Sequence, residues 1–145
     1  MNKVQSSIVI ERPIEEVFTY AASPINGPAF IPNLNENANI SPEEVGVGQS
    51  FDWRFNMAGV DLRGKAQVTE FDAPNKAVIT STGDSDSVWT YIFEEEGEGT
   101  KVTISIDYEF VESVLQRMVN KVTVDKLSQR TADQMLENLR VILEG

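Results

Sequence analysis

The sequence predicts an α+β domain: a curved antiparallel sheet of seven strands, two short helices near the start, and a long C-terminal helix that closes the sheet over a cavity. Three observations point there. Between residue 36 and Phe110, apolar and polar residues alternate with a period of two, broken by short turn segments. After Val111 the period becomes 3.6 and stays so to the end of the chain. A helix that long in a 145-residue chain must lie along something extended, and the apolar face of the sheet is the available surface. The length suits one domain with a real core, and there is no repeat, low-complexity tract or linker, so residues 1–145 read as a single domain.

The elements follow in order. Val4 to Glu11 contains the β-branched run Ile8-Val9-Ile10 and reads as a strand. Pro13 suits a first helical turn, Glu15 and Glu16 suit its positive end, and Ile14, Val17, Phe18 and Ala21 share one face of a helix over 13–21. Residues 22–34 are broken by Pro24, Gly27, Pro28 and Pro32, with room for one more helical turn between Ile25 and Phe30. Asn37 to Ser41 is a weak strand. Phe51, Trp53, Phe55 and Met57 then alternate with Asp52, Arg54 and Asn56. Ala58-Gly59 turns the chain, and Val60, Leu62, Gly64, Ala66 and Val68 alternate with Asp61, Arg63, Lys65 and Gln67. Such strands belong to a sheet wet on one face only. Asp72 to Asn75 is a turn, Lys76 to Thr82 a strand, and Gly83 to Ser87 a further turn. Val88 to Glu95 carries Trp89, Tyr91 and Phe93 on one face; after Gly97-Glu98-Gly99, Val102, Ile104, Ile106 and Tyr108 alternate with polar residues. Finally Leu115, Met118, Val119, Val122, Lys126, Gln129, Ala132, Leu136, Leu139 and Leu143 trace one stripe of a helix of about 30 residues. Its middle, Lys126 to Ala132, is poor in large apolar side chains.

Composition removes several function classes. The chain has no cysteine and no histidine, so it lacks disulfides, thiolate ligands, the common zinc sites and the usual general base near neutral pH. No metal site and no cofactor are expected. Asp84 and Asp86 with Ser85 and Ser87 resemble a fragment of a calcium loop but lack its downstream ligands, and a polar turn is the plainer reading. Glu94 to Glu98 reads as a solvated hairpin tip. A net charge of -11 opposes binding to nucleic acid. No apolar run approaches the roughly 20 residues of a membrane span. Met1 to Ser7 lacks the apolar core of a signal peptide, and a cytoplasmic location without stable membrane insertion is the expectation.

Four stretches carry a family likeness: Ile8 to Phe18 as opening strand and proline-started helix; Gly59 to Asp72 with Ala73-Pro74-Asn75-Lys76 as central strand and turn; Trp89 to Glu94 with Gly99 to Thr103 as paired late strands; and Leu136 to Glu144 as helix ending. In this order the chain resembles the START-like superfamily, also called SRPBCC or Bet v 1-like, with its helix-grip fold. Within it the chain looks like the polyketide cyclase/dehydrase branch, the one that also takes in a carbon monoxide dehydrogenase accessory protein. The resemblance implies a scaffold shared by lipid carriers, cyclases, hydrolases and co-chaperone-like modules, so it leaves function open.

If the alternation holds, Trp53, Phe55, Trp89, Tyr91, Phe93 and Tyr108 face the helix, where they form either a filled core or the wall of a cavity. Small residues at Gly64 and Ala66 on the same row as Leu62 favour a hollow, as does the resemblance. Met118 and Val122 would sit at its mouth with Phe30 and Ile31. The candidate ligand-binding residues are therefore Trp53, Phe55, Leu62, Gly64, Ala66, Trp89, Tyr91, Tyr108, Met118 and Val122. The charges at Asp52, Arg54, Asp61, Arg63 and Lys65 fall on the solvent face as cross-strand pairs rather than as a catalytic cluster. The expected function is binding or carrying of a small apolar ligand, such as a lipid, quinone, polyketide or aromatic metabolite. Two alternatives stand beside it. One is a cyclase/dehydratase-type enzyme using shape and a pocket hydroxyl or carboxylate. The other is a co-chaperone-like module with a filled interior and an exposed apolar patch.

Overall fold

Short turns force sequence neighbours to pair, and only the first strand has to travel to find its partner. In the computed structural model, which describes residues 2–117 and 121–145 (the side chains of 121–123 excepted), the strands are β1 (Asn2–Ile10), β2 (Leu34–Ser41), β3 (Ser50–Met57), β4 (Val60–Asp72), β5 (Lys76–Gly83), β6 (Ser85–Glu96) and β7 (Gly99–Phe110). They form one antiparallel sheet in the order β1-β7-β6-β5-β4-β3-β2. The β3–β4 hairpin has positive φ at both Ala58 and Gly59, the two-residue turn whose twist matches the strands it joins. Asn56 accepts the Gly59 N–H at 3.1 Å, which helps hold alanine in that unfavourable region. Register shifts interrupt β4 between Val68 and Glu70 and β2 at two places, the kind of irregularity that bends a sheet.

The helices are α1 (Ile14–Ala21), α2 (Gly27–Phe30), α3 (Glu112–Leu115) and α4 (Lys121–Glu144), with a 3-10 turn at Pro24–Asn26. The sequence predicts one helix of about 30 residues after Val111. The structure instead has the four-residue α3, a turn at Gln116 and Arg117, and the 24-residue α4, about 36 Å long. A 3.6 periodicity reports which faces are apolar and is blind to a break of this kind. The stripe also differs in its first half. Lys126 is exposed, while Val124, Ser128, Thr131 and Ala132 are buried, followed by Met135, Leu136 and Leu139. Helix α4 runs along β1 and meets β7 and α2. The Gln129 amide donates to the Gln5 carbonyl at 3.0 Å, and Asn138 to that of Phe30 at 3.0 Å.

The interior divides lengthwise. At one end α1 presses Val17 and Phe18 into the sheet, and the Phe18 ring meets Phe93 edge-on at 5.1 Å and Phe71 at 5.3 Å. That end is filled. On the far face of the sheet, Asp52 opposes Lys65, with 3.7 Å between their charged atoms, and Asn56 donates to Asp61 at 3.0 Å. The charged rows of β3 and β4 thus face solvent, as their alternation predicts.

Candidate functional site: an internal apolar cavity

Beyond the packed end, the sheet, the 25–31 region and α4 enclose a cavity of about 130 Å³. Its walls are mostly apolar. From β3 come Phe51, Trp53, Phe55 and Met57; from β4, Leu62 and Ala66; from β5, Ile79; from β6, Trp89 and Tyr91; from β7, Ile106, Tyr108 and Phe110. Pro24, Gly27, Phe30, Ile31 and Leu34 close one side, and Ser128 and Thr131 of α4 close another. The middle of α4 is poor in large side chains where it faces this hollow, and bulkier residues there would fill it.

Seven of the residues singled out from the sequence line the cavity together: Trp53, Phe55, Leu62, Ala66, Trp89, Tyr91 and Tyr108. Phe30 and Ile31 join them. Gly64 does not line it. A Cβ at Gly64 would lie 2.5 Å from Cζ2 of Trp53 and 2.0 Å from the Thr82 carbonyl oxygen, so the space the glycine leaves is taken by the Trp53 indole. Phe93 belongs to the packed end. Met118 and the side chain of Val122 lie outside the described residues.

The polar groups of the cavity were the part missed. Gly83 to Ser87 does not form a five-residue turn: β6 begins at Ser85, and Ser85 and Ser87 are buried in the wall with Ser81. The signal was present, because Ser85, Ser87, Trp89, Tyr91 and Phe93 share one period-two row; the density of Gly, Asp and Ser masked it. Ser81 and Ser87 hydroxyls are 2.5 Å apart, and the Trp89 indole N–H donates to Ser87 at 3.0 Å. Asp84 accepts the Arg63 N–H at 3.0 Å, a structural bond across the β5–β6 turn. Among the described residues no group of His, Cys, Asp or Glu is placed to hold a metal ion.

Tyr108 donates to Asp125 of α4 at 2.5 Å. Burial first, and then the bond to Asp125, push the Tyr108 hydroxyl up to about 12. Burial alone raises the Tyr91 hydroxyl well above its ordinary range. Both phenols therefore stay protonated at neutral pH. Asp125 is half-buried behind Tyr108 and is not among the lining residues.

A sheet wrapped on one long helix around an apolar hollow defines the helix-grip, Bet v 1-like class of domain. The sequence profile of the polyketide cyclase / dehydrase and lipid transport family matches residues 1–144, and the chain belongs to that family. Solved structures agree on the fold. TTHA0849 from Thermus thermophilus is 24% identical, with a TM-score of 0.81 over 99% of each chain. The Zhui aromatase/cyclase from Streptomyces sp. R1128 is 11% identical, with a TM-score of 0.81 over 99% of this chain and 93% of that one. Ara h 8.0201 is 12% identical, with a TM-score of 0.67 over 99% of both chains. At these identities the likeness concerns the fold. No protein of curated function matches the sequence. No helix of the described residues is long and apolar enough to cross a membrane.

Proposed function

We propose that this protein binds a small, largely apolar molecule in the internal cavity and carries or presents it. The observation that carries this reading is the cavity itself, walled by aromatic and aliphatic side chains with hydroxyls as its main polar groups. Membership of a family described by cyclisation and lipid transport supports it. The volume, about 130 Å³, is close to that of apolar cavities that accept a single aromatic ring and below the roughly 300–1,000 Å³ of drug-sized pockets. A ligand of one or two rings, or one slender chain, fits that size. An interaction module with a filled interior fits it less well, and the exposed apolar side chains, among them Ile25, Val47 and Val141, are scattered over separate elements.

A second reading has its own observation. The Tyr108 hydroxyl lines the cavity with the Asp125 carboxylate behind it at 2.5 Å, which is an arrangement able to hold or return a proton to a bound enol or ketone. One set of experiments separates the two. The purified protein is extracted for ligand and then incubated with a panel of lipids, quinones and aromatic polyketide-like compounds. A ligand present at about 100 times its Kd stabilises by about 2.7 kcal/mol, a rise of several degrees in Tm. Recovery of the compounds unchanged supports a carrier; cyclised or dehydrated products, lost in Tyr108→Phe, support the enzyme. No extracted ligand and no Tm shift across the panel would sink both.

A further inference from the structure

Most polar groups of the cavity are already spent on one another. Ser81, Ser87 and the Trp89 indole are linked, and Tyr108 is bonded to Asp125. Two are not. The Trp53 indole N–H and the Asn37 side-chain carbonyl are buried without a hydrogen-bond partner, and both residues line the cavity. Leaving a buried donor or acceptor unpaired is costly, so such groups are normally matched. One other buried side-chain atom among the described residues shares this state, Oε1 of Gln49. It lies in the loop before β3, outside the cavity, and the same amide donates to the Pro42 and Glu43 carbonyls.

The two cavity groups form a pair. Asn37 of β2 and Trp53 of β3 are direct partners in the antiparallel register, so their side chains leave the same face of the sheet about 5 Å apart at Cβ. Each is fixed. The Asn37 amide donates to the Pro24 carbonyl at 2.8 Å, which commits its nitrogen and leaves the oxygen as the free end. A Cβ at Gly27 would stand 2.7 Å from that nitrogen, and one at Gly64 would stand 2.8 Å from Cε2 of the indole. Two glycines thus make the space in which an unspent acceptor and an unspent donor lie side by side.

We propose that Asn37 and Trp53 are the polar recognition point of the cavity, and that its ligand is a neutral molecule with an apolar body and one hydroxyl, phenolic or alcoholic. This deepens the ligand-binding reading and rests on it. A hydroxyl accepts from the Trp53 N–H and donates to the Asn37 oxygen at once. A ketone satisfies the first group only. A carboxylate meets the Asn37 oxygen with like polarity, in a chain already at net charge -11. A hydrocarbon satisfies neither.

The test uses matched probes of the cavity's size: p-cresol against toluene, and 2-naphthol against naphthalene. Affinities are measured by titration calorimetry. The two indole N–H signals, one from each tryptophan of the chain, are followed by 1H–15N NMR and assigned with Trp53→Phe. The hydroxylated member of each pair is expected to bind about tenfold more tightly, the worth of one net hydrogen bond. It should move the Trp53 N–H signal downfield and leave the already bonded Trp89 signal nearly still. In Trp53→Phe the preference should collapse while the hydrocarbons retain their affinity. Equal binding of the two members, or a larger shift at Trp89, overturns the recognition point and leaves the apolar container standing. Binding of neither member of either pair overturns the inference together with the container reading for ligands of this size.

Discussion

Gly64 shows how much one absent side chain decides. The Trp53 ring lies across it, with the Thr82 carbonyl on the other side, and a methyl group there has nowhere to go. Gly64→Ala is expected to cost about 1–3 kcal/mol, the range of overpacking, read as a lower midpoint in urea with an unchanged slope. It should also displace the indole and weaken binding of any ligand that uses it. The inward direction of Trp53, Phe55, Trp89, Tyr91 and Tyr108 was legible because alternation assigns a side chain to a face. What Gly64 does was not, since a glycine on an inward row reads equally as open space or as a seat for a neighbour. Asn37 was missed for a related reason. It lies on an irregular strand of Asn and Glu residues with no apolar alternation to mark its inner face.

At the scale of elements, α4 divides its work along its length. Its second half buries Met135, Leu136 and Leu139 almost completely, while Ser128 and Thr131 face the cavity. Leu139→Ala is expected to cost about 2–5 kcal/mol, whereas Val141→Ala, at a position 59% exposed, stays within about 0.5 kcal/mol; chemical denaturation of the two variants checks the contrast. The C-terminal stripe was readable from Ala132, Leu136 and Leu139, where the apolar spacing is strong. Before them the pattern fades, because the residues facing a hollow are small and polar, and a ladder drawn through Lys126 and Gln129 follows the wrong face. Strand boundaries failed in the same way at Ser85, where turn-like composition hid the start of a strand.

For the whole molecule, the absence of histidine leaves little to titrate near neutral pH, and the shifted phenols act at the alkaline end. Tyr108 and Tyr91 hold their protons more tightly folded than unfolded. Their contribution to stability is fully present below about pH 10, where the unfolded phenol titrates, and declines as the pH rises through about 12. Urea midpoints measured from about pH 9 to 12 should fall, and Tyr108→Phe should fall less steeply; identical slopes would remove the buried phenol as the cause. The fold was legible as a whole because order, turns and two periodicities agree on it.

The irregular β2 has one more effect. A sheet that ends in a straight strand offers its unpaired amides and carbonyls to any neighbouring chain, the first step toward ordered aggregates. Here one outer strand is broken by two register shifts and a left-handed Asn39, while α4 runs along the other and takes the Gln5 carbonyl with Gln129. Neither border presents a continuous template. Combined with the mutual repulsion of chains carrying eleven excess negative charges, this favours a protein that stays dispersed at high concentration despite its hollow apolar centre.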